Sequence, residues 1–194
     1  MTEFARRGTA ADSGLNRAGV ANRLYALDLS VVKAAARSTK SPMAKTCAVA
    51  FTKLGNGWIY PVIMAAIFLR WGYSGLRILV AVVATNGILH ALYPRMKRYF
   101  SRARPYVIDT NLKCLAAPLD KYSFPSGHTM TLTGVFVPID IFWHAALPSS
   151  IVLGFCLAWS RLATAHHYPS DVLAGTLLGI GVGLPITAMV TWVW

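Results

Sequence analysis

The sequence predicts an all-α fold, built as a polytopic bundle of transmembrane helices. Hydrophobic residues make up 55% of the 194 positions and charged residues only 13%, and the mean hydropathy is +0.48. A soluble domain carries about 25% charged residues. The apolar residues form five stretches near the roughly 20 residues that cross a bilayer, namely 46–69, 75–94, 127–147, 149–165 and 170–194. We therefore expect about five spans within one transmembrane domain, residues 41–194.

Two different segments precede the first span. Residues 1–14 are rich in small and polar side chains, and we expect a flexible basic tail. Residues 15–40 predict an amphipathic helix, because apolar and cationic side chains recur on opposite faces. Its apolar face holds Val20, Leu24, Leu27 and Val31, and its polar face holds Arg23, Ser30, Lys33 and Arg37. Such a helix can lie in the headgroup plane or pack against the bundle, and both remain open.

The net charge of +12 predicts an acidic partner. Nucleic acid, anionic lipid headgroups and a phosphorylated substrate would each satisfy it. A chain this apolar argues against nucleic acid. Membrane lipids and a phosphorylated substrate are therefore the expected partners.

The segment after the second span is strongly basic. It runs from Pro94 to Pro105 and contains five cations, among them Lys97 and Arg104. Lysine holds a phosphate oxygen as a compact charge and arginine as a two-pronged donor, so this pair is suited to clamping a phosphoryl group. A juxtamembrane patch that only touches lipid headgroups would have the same composition. The segment alone leaves both interpretations open.

Ser126, Gly127 and His128 follow Pro125 at the predicted start of the third helix. The first turn of a helix has unpaired backbone N–H groups and a partial positive charge, and a glycine lets an anion approach them closely. His128 would stand beside the bound anion, where an imidazolium can protonate a leaving oxygen. An ordinary helix cap is the alternative.

Arg161 ends the fourth span, and His167 and Asp171 follow it. A neutral imidazole can attack phosphorus if its second ring nitrogen donates to a carboxylate that fixes the tautomer. Asp171, four residues after His167, is suited to that role. An interfacial hydrogen bond would explain this pair but not Arg161. The neighbouring His166 is the rival nucleophile, although we expect it to face solvent or substrate.

Taken in order, these three clusters resemble the type 2 phosphatidic acid phosphatase family, whose active site is similar to that of the vanadium haloperoxidases. The family pattern is K-x6-R-P, then P-S-G-H, then S-R-x5-H-x3-D. Every defined position is present, from Lys97 to Asp171. The resemblance covers the chain from the second span to the fifth. Relatives often have six membrane helices, whereas this sequence predicts five and an amphipathic segment.

The resemblance implies a role for each matching residue. His167 would form a phosphohistidine, Asp171 would orient it, and His128 would be the general acid that later activates water. The spacing of the family motif favours His167 over His166. The groups implied to bind the phosphoryl oxygens are Lys97, Arg104, Ser126, Gly127 and Arg161.

The expected function is hydrolysis of a lipid phosphate or diphosphate without a metal or any other cofactor. No cluster of carboxylates in the sequence is suited to magnesium. Phosphatidylglycerophosphate, phosphatidate and polyprenyl-linked phosphates are the candidate substrates. The alternatives are an undecaprenyl diphosphate phosphatase facing outward, a catalytically idle lipid-binding protein, and a vanadate-dependent halide oxidase.

The cations predict the orientation of this multi-pass chain in a bacterial-type inner membrane. With five spans, nine cations up to Lys53, seven from Arg95 to Lys121, and Arg161 share one side of the membrane. Arg70 and Arg77 lie on the other side. The positive-inside rule therefore predicts a cytoplasmic active site.

A few residues inside the spans carry further expectations. His90 or Lys53 could touch substrate, or both could make internal hydrogen bonds. Gly175, Gly179 and Gly183 recur every four residues in the last span, where small residues let helices approach closely. We expect them to pack within this bundle rather than in a homodimer, which leaves the choice between monomer and homodimer open.

Overall fold

The computed structural model describes residues 22–194, and every regular element among them is helical. The predicted all-α fold is therefore confirmed. The predicted tail, residues 1–14, and the beginning of the predicted amphipathic helix, residues 15–21, lie outside the described residues. The α-helices are α1 (22–38), α2 (Pro42–Leu54), α3 (Ile59–Trp71), α4 (Leu76–Phe100), α5 (Pro105–Ile108), α6 (Gly127–Phe142), α7 (Leu147–Ala163) and α8 (Pro169–Val193).

Three helical stretches of the described chain are long and apolar enough to cross a membrane, namely Ile59–Ile108, His144–Ala163 and Pro169–Val193. The third agrees closely with the predicted last span. The predicted count of five spans would require shorter helices to cross the bilayer in addition to these three stretches. It depends on how the shorter helices sit in the bilayer.

The predicted first span is divided in two. Helix α2 ends at Leu54 and α3 begins at Ile59. Gly55 and Gly57 flank Asn56 in the turn between the two helices. Gly57 has φ of +119°, a backbone conformation that residues other than glycine rarely adopt. The turn lies at the end of the bundle where the motif segments meet.

Helices α4, α6 and α8 form the centre of the bundle, and α8 approaches α6 through its three glycines. Gly175, Gly179 and Gly183 are buried. A methyl group at Gly175 would stand 2.5 Å from the carbonyl oxygen of Ser126, and one at Gly179 would stand 2.6 Å from Thr133 Cβ. The two helices can be this close only because side chains are missing. The prediction that these glycines pack within the bundle is confirmed.

Helix α1 lies against the loop between α7 and α8. Val32 is completely buried there with Ala165 and Tyr168. Three residues of the predicted apolar face point elsewhere and are exposed, namely Leu24 (61%), Leu27 (62%) and Val31 (44%). The side of α1 that carries Val32 therefore packs against the bundle. The predicted apolar face, with Leu24, Leu27 and Val31, is not covered by any of the described residues.

Candidate active site

The three motif segments meet at one end of the bundle. Lys97 lies in the last turn of α4, Gly127 begins α6, and His167 precedes the first turn of α8. A cavity of about 310 Å³ opens between these elements. The predicted site residues that line it are Arg104, Gly127, His128, Arg161 and His167. Arg104 and His167, which are 63 positions apart in the chain, thus share one cavity.

Lys97 and Arg104 converge on a single carboxylate. Lys97 Nζ donates to Asp120 Oδ1 at 3.0 Å, and Arg104 Nη2 donates to the same oxygen at 2.8 Å. Both cationic residues are buried, with 5% and 1% of their surface exposed. Ser101 ends α4 in the left-handed conformation, with φ of 44°, and the chain leaves the helix there toward Arg104.

Asp120 remains ionised in this setting. Burial raises the pKa of its carboxyl, but the hydrogen bond from Tyr93 and the charges of Lys97 and Arg104 outweigh burial. The resulting pKa lies below the ordinary value of an aspartic acid. Lys97 also donates to the carbonyl oxygens of Tyr122, at 2.5 Å, and Ser123, at 3.3 Å. All three protons of the ammonium group therefore have acceptors within the protein.

Ser126 is the N-cap of α6, and its backbone N–H donates to the carbonyl oxygen of Asp171 at 3.0 Å. This bond ties the start of α6 to the start of α8. Ser126 Oγ is buried and has no hydrogen-bond partner among residues 22–194. A methyl group at Gly127 would stand 2.8 Å from Tyr93 Oη. The ring of Tyr93 thus packs directly against the first residue of α6, where there is no room for a side chain.

His128 lies one residue into α6 and is 8% exposed. Its Nε2 lies 2.8 Å from Asn56 Oδ1, in the turn between α2 and α3. The amide oxygen can only accept, so Nε2 carries the proton in this contact. The turn that divides the predicted first span therefore holds the imidazole of His128 at the cavity wall.

Arg161 lies in the last turn of α7 and is 2% exposed. Its Nε and Nη1 have no hydrogen-bond partner in the described part of the chain. Its carbonyl oxygen accepts from the backbone N–H groups of His166 and His167, each at 3.2 Å, where Ala165 turns the chain with φ of 56°. A buried cation is costly unless an anion pairs with it. Arg161 therefore offers the cavity a buried cation with donors free to bind an anion.

His167 is 2% exposed, and its ring stands between a carboxylate and a cation. Its Nδ1 lies 3.6 Å from Asp171 Oδ2, and its Nε2 lies 3.4 Å from Arg104 Nη1. Burial lowers the pKa of His167 well below its usual value, and the charges of Arg161 and Arg104 act in the same direction. The imidazole is therefore neutral near pH 7, as a nucleophile requires.

Asp171 is completely buried and occupied on both carboxylate oxygens. Its Oδ2 accepts from the backbone N–H of Tyr168 at 2.8 Å, which closes a capping box at the start of α8. Its Oδ1 accepts from Arg102 Nη1 at 2.7 Å. These bonds fix the carboxylate beside His167.

The expectation that His166 faces solvent or substrate is wrong. The residue is completely buried, and its Nε2 lies 2.7 Å from the carbonyl oxygen of Ala116. Cys114 Sγ lies 3.4 Å from the same nitrogen, so the loop that carries Cys114 and Ala116 covers the ring. Burial lowers the pKa of His166 to about 3, and the charge of Arg161 lowers it as well.

Sequence reasoning missed three polar residues whose side chains hydrogen-bond to predicted site residues. Asp120 lies in a loop whose course no pattern predicted, Arg102 was only one of five cations, and Asn56 was a polar interruption of an apolar stretch. The interruption by Asn56 was a usable signal. Asp120 and Arg102 gave none, because their partners are distant in sequence.

The two polar residues singled out within the spans differ. His90 lines the cavity, and its Nε2 lies 3.1 Å from Thr131 Oγ1. Lys53 is exposed and does not line the cavity. Within residues 22–194, no group of three or more His, Cys, Asp or Glu side chains could hold a metal ion. The ionisable side chains that line the cavity include two arginines, three histidines and one carboxylate, Asp120.

Known proteins share the motif-bearing part of this chain, and a family model described as the PAP2 superfamily matches residues 75–194. YbjG of Escherichia coli K12, provisionally named an undecaprenyl-diphosphatase, is 31% identical over 67% of this chain and 65% of its own length. Decaprenylphosphoryl-5-phosphoribose phosphatase of Mycobacterium tuberculosis is 31% identical over 66% of this chain and 68% of its own. Lipid A 1-phosphatase of Rhizobium johnstonii is 32% identical over 56% and 44%. The chain thus spans from under half to about two thirds of these relatives' lengths.

Two solved structures have the same fold. LpxE of Aquifex aeolicus superposes with a TM-score of 0.69 at 21% identity, over 84% of this chain and 95% of that one. A PAP2-type phosphatidylglycerolphosphate phosphatase of Bacillus subtilis, whose structure is described as transmembrane, gives 0.68 at 24% identity, over 89% of each chain. The long apolar helices and the membrane-protein relatives make this chain a membrane protein.

Proposed function

Because the chain belongs to the PAP2 superfamily, we propose that it is an integral membrane phosphatase acting on a lipid monophosphate or diphosphate. One observation carries the proposal: the cationic cavity lined by His167 adjoins an apolar groove. Cavity and groove share three wall residues, Tyr60, His90 and Thr131. A phosphoryl group matches the charge of the cavity, and a lipid chain matches the groove.

The groove has a volume of about 450 Å³ and lies between α3, α4 and α6. Its remaining wall residues are predominantly apolar, namely Pro61, Met64, Val82, Val83, Asn86, Gly87 and Val135. Val82 lies on α4 two turns before His90, so the groove extends away from the cavity along the helices. A lipid whose phosphate occupies the cavity would place its first methylene groups there.

In the proposed first step, His167 Nε2 attacks phosphorus with its lone pair. The bond from phosphorus to the leaving oxygen breaks, and that oxygen takes the electron pair and a proton from protonated His128. The product is a phosphohistidine, and Asp171 stabilises the positive charge on its ring. In the second step His128 takes a proton from water as the hydroxide attacks phosphorus. The bond to His167 then breaks, which restores the neutral imidazole and releases phosphate.

The phosphoryl oxygens would be held by Arg104, by Arg161 and by the N-terminus of α6 with Ser126 and Gly127. Arg161 has unpaired donors for this purpose. Lys97 contributes mainly through Asp120, because its three donors already have acceptors. The cradle needs no metal in this scheme, because these groups supply the positive charge.

Phosphatidylglycerophosphate, phosphatidate and a polyprenyl-linked phosphate remain the proposed substrates. Two of the relatives are named for polyprenyl compounds, undecaprenyl diphosphate and decaprenylphosphoryl-5-phosphoribose, and these names favour the polyprenyl class. An outward-facing undecaprenyl diphosphate phosphatase is the alternative. The two readings differ in the side of the membrane on which the site lies.

We propose five spans in an inner membrane, α1 lying in the interface, and a cytoplasmic active site, from the distribution of cations. The test starts from a variant whose three native cysteines are replaced by serine. In intact cells, a membrane-impermeant maleimide should label Pro148→Cys and leave Lys113→Cys unlabelled until the cells are permeabilised. Labelling of Lys113→Cys alone would reverse the topology and favour the outward-facing alternative.

The function itself is tested with purified protein in detergent and a panel of lipid phosphates and diphosphates. Phosphate release should persist in EDTA, stop with vanadate, and fall in Arg161→Ala. Activity that is lost in EDTA and restored by magnesium would overturn the mechanism. Phosphate release from no lipid of the panel would overturn the function, and halide oxidation by vanadate-loaded protein would then identify the haloperoxidase alternative.

A further inference from the structure

Helix α1, which precedes the part of the chain shared with the family, packs against the catalytic loop through Val32 and also binds it through the carboxylate of Asp28. Arg102 Nη2 donates to Asp28 Oδ2 at 2.8 Å. Asp28 Oδ1 accepts from the backbone N–H of Ser170 at 3.1 Å, and the hydroxyl of Ser170 donates to Oδ2. Asp28 thus binds both the arginine and the first turn of α8.

Arg102 passes this contact on to the predicted active site. Its second terminal nitrogen, Nη1, donates to Asp171 Oδ1 at 2.7 Å and to Ser170 Oγ at 2.7 Å. Its guanidinium lies over the ring of Tyr168, 3.9 Å from the centroid. The arginine is therefore held in one orientation, with one nitrogen on Asp28 and the other on Asp171.

These ion pairs are largely shielded from water. The side chains of Asp28, Arg102 and Asp171 are 15%, 23% and 0% exposed. Exposed ion pairs contribute little, but shielding from solvent strengthens the interaction between charges. The charge on Arg102 is also shared between two carboxylates, so Asp171 is only partly neutralised.

We propose that Asp28 is a positioning residue of the active site, which acts through Arg102 and Ser170 on Asp171. Asp28 binds one of the two terminal nitrogens of Arg102, so the positive charge of the guanidinium is not directed at Asp171 alone. Asp171 therefore keeps enough negative charge to orient His167 and to stabilise its phosphorylated ring. By binding Ser170, it fixes the turn of α8 that carries Asp171. The inference rests on the proposed function only for its kinetic readout.

The test compares Asp28→Asn with a matched ion-pair variant on the same helix. Asparagine keeps an oxygen for the Ser170 N–H but loses the charge that faces Arg102. We expect kcat to fall about 10- to 100-fold, with KM within about twofold, because the phosphate cradle is untouched. Asp28→Glu should recover part of kcat. Lys33→Gln removes the 2.8 Å pair between α1 and Asp109 and should leave both constants unchanged.

A second readout needs no turnover. In protein labelled with 15N-histidine, the ring signals of His167 are identified by their loss in His167→Ala. Wild-type protein should hold the proton on Nδ1, which faces Asp171, whereas Asp28→Asn should shift the tautomer population toward Nε2. This measurement tests the inference even if the wild-type protein releases phosphate from no lipid, a result that would overturn only the proposed function.

Three results would overturn the inference. One is wild-type kcat with an unchanged His167 spectrum in Asp28→Asn. Another is a loss of kcat in Lys33→Gln as large as that in Asp28→Asn, because any contact that holds α1 against the bundle would then have the same effect. The third is a rise in KM and a lowered thermal unfolding midpoint that together account for the whole loss, because the substitution would then act on the fold.

Discussion

The N-terminal and C-terminal parts of the described chain, residues 22–71 and 75–194, build the same cavity with different chemistry. The charged and ionisable wall residues of the C-terminal part include Arg104, Arg161 and His167. The wall residues of the N-terminal part are Gly55, Asn56, Gly57 and Tyr60, all uncharged. The first set can act on a phosphoryl group directly. The second set can only shape the cavity and orient neighbouring side chains. Substitutions there should therefore lower the activity less.

The largest effect is expected at His167. His167→Ala removes the nucleophile, and phosphate release should fall about 10⁴-fold or more, while the thermal unfolding midpoint in detergent stays near that of the wild type. His166→Ala is the matched comparison, because His166 is equally buried but bonded to the Ala116 carbonyl oxygen. Near-normal phosphate release by His167→Ala, together with a collapse in His166→Ala, would reverse the assignment.

Arg161 should come next. Its buried guanidinium has unpaired donors, so Arg161→Ala should lower kcat/KM about 10²- to 10³-fold, the usual cost of losing one group that stabilises transition-state charge. Arg161→Lys should recover only part of this, because lysine keeps the charge without the two-pronged geometry. Arg70→Ala, at the opposite end of the bundle, serves as the control. A loss of less than about threefold in Arg161→Ala would move the anion site elsewhere in the cavity.

The third prediction concerns the close contact between α6 and α8, and the expected effect is a smaller one, on stability. Gly175→Ala would bring a methyl group within 2.5 Å of the Ser126 carbonyl oxygen and should destabilise the protein by about 1–3 kcal/mol. Gly181 lies on the same helix with nothing within 4 Å of an added methyl group. Gly181→Ala should therefore leave thermal unfolding unchanged or slightly raise its midpoint. Equal midpoints for the two variants would mean that the helices adjust freely.

The same two parts of the chain also differ in how far the sequence predicts them. Groups that act on one phosphate need fixed spacing along a helix or a turn, as in His167 and Asp171, and spacing is visible in sequence. Asp28 and Asn56 meet their partners 74 and 72 residues away, and such contacts exist only after folding. The apolar composition predicted the helical class for a similar reason, because it is a local property. The turn between α2 and α3 was not predicted, because the residues around Gly55 are mostly apolar and hydropathy alone assigns them to one continuous span.

The smallest effect is expected at Asn56, and it tests the comparison between the two parts most sharply. Asn56→Ala removes the oxygen that lies 2.8 Å from His128 Nε2, and the loss of one hydrogen bond that orients an acid should lower kcat about tenfold. The fall should be larger for a substrate with a poor leaving group, because proton donation matters most there. Lys53→Gln, three residues earlier and exposed, is the matched control. If Asn56→Ala were as damaging as His128→Ala with every substrate, the N-terminal part would take part in the chemistry, and its role would no longer be limited to forming a wall.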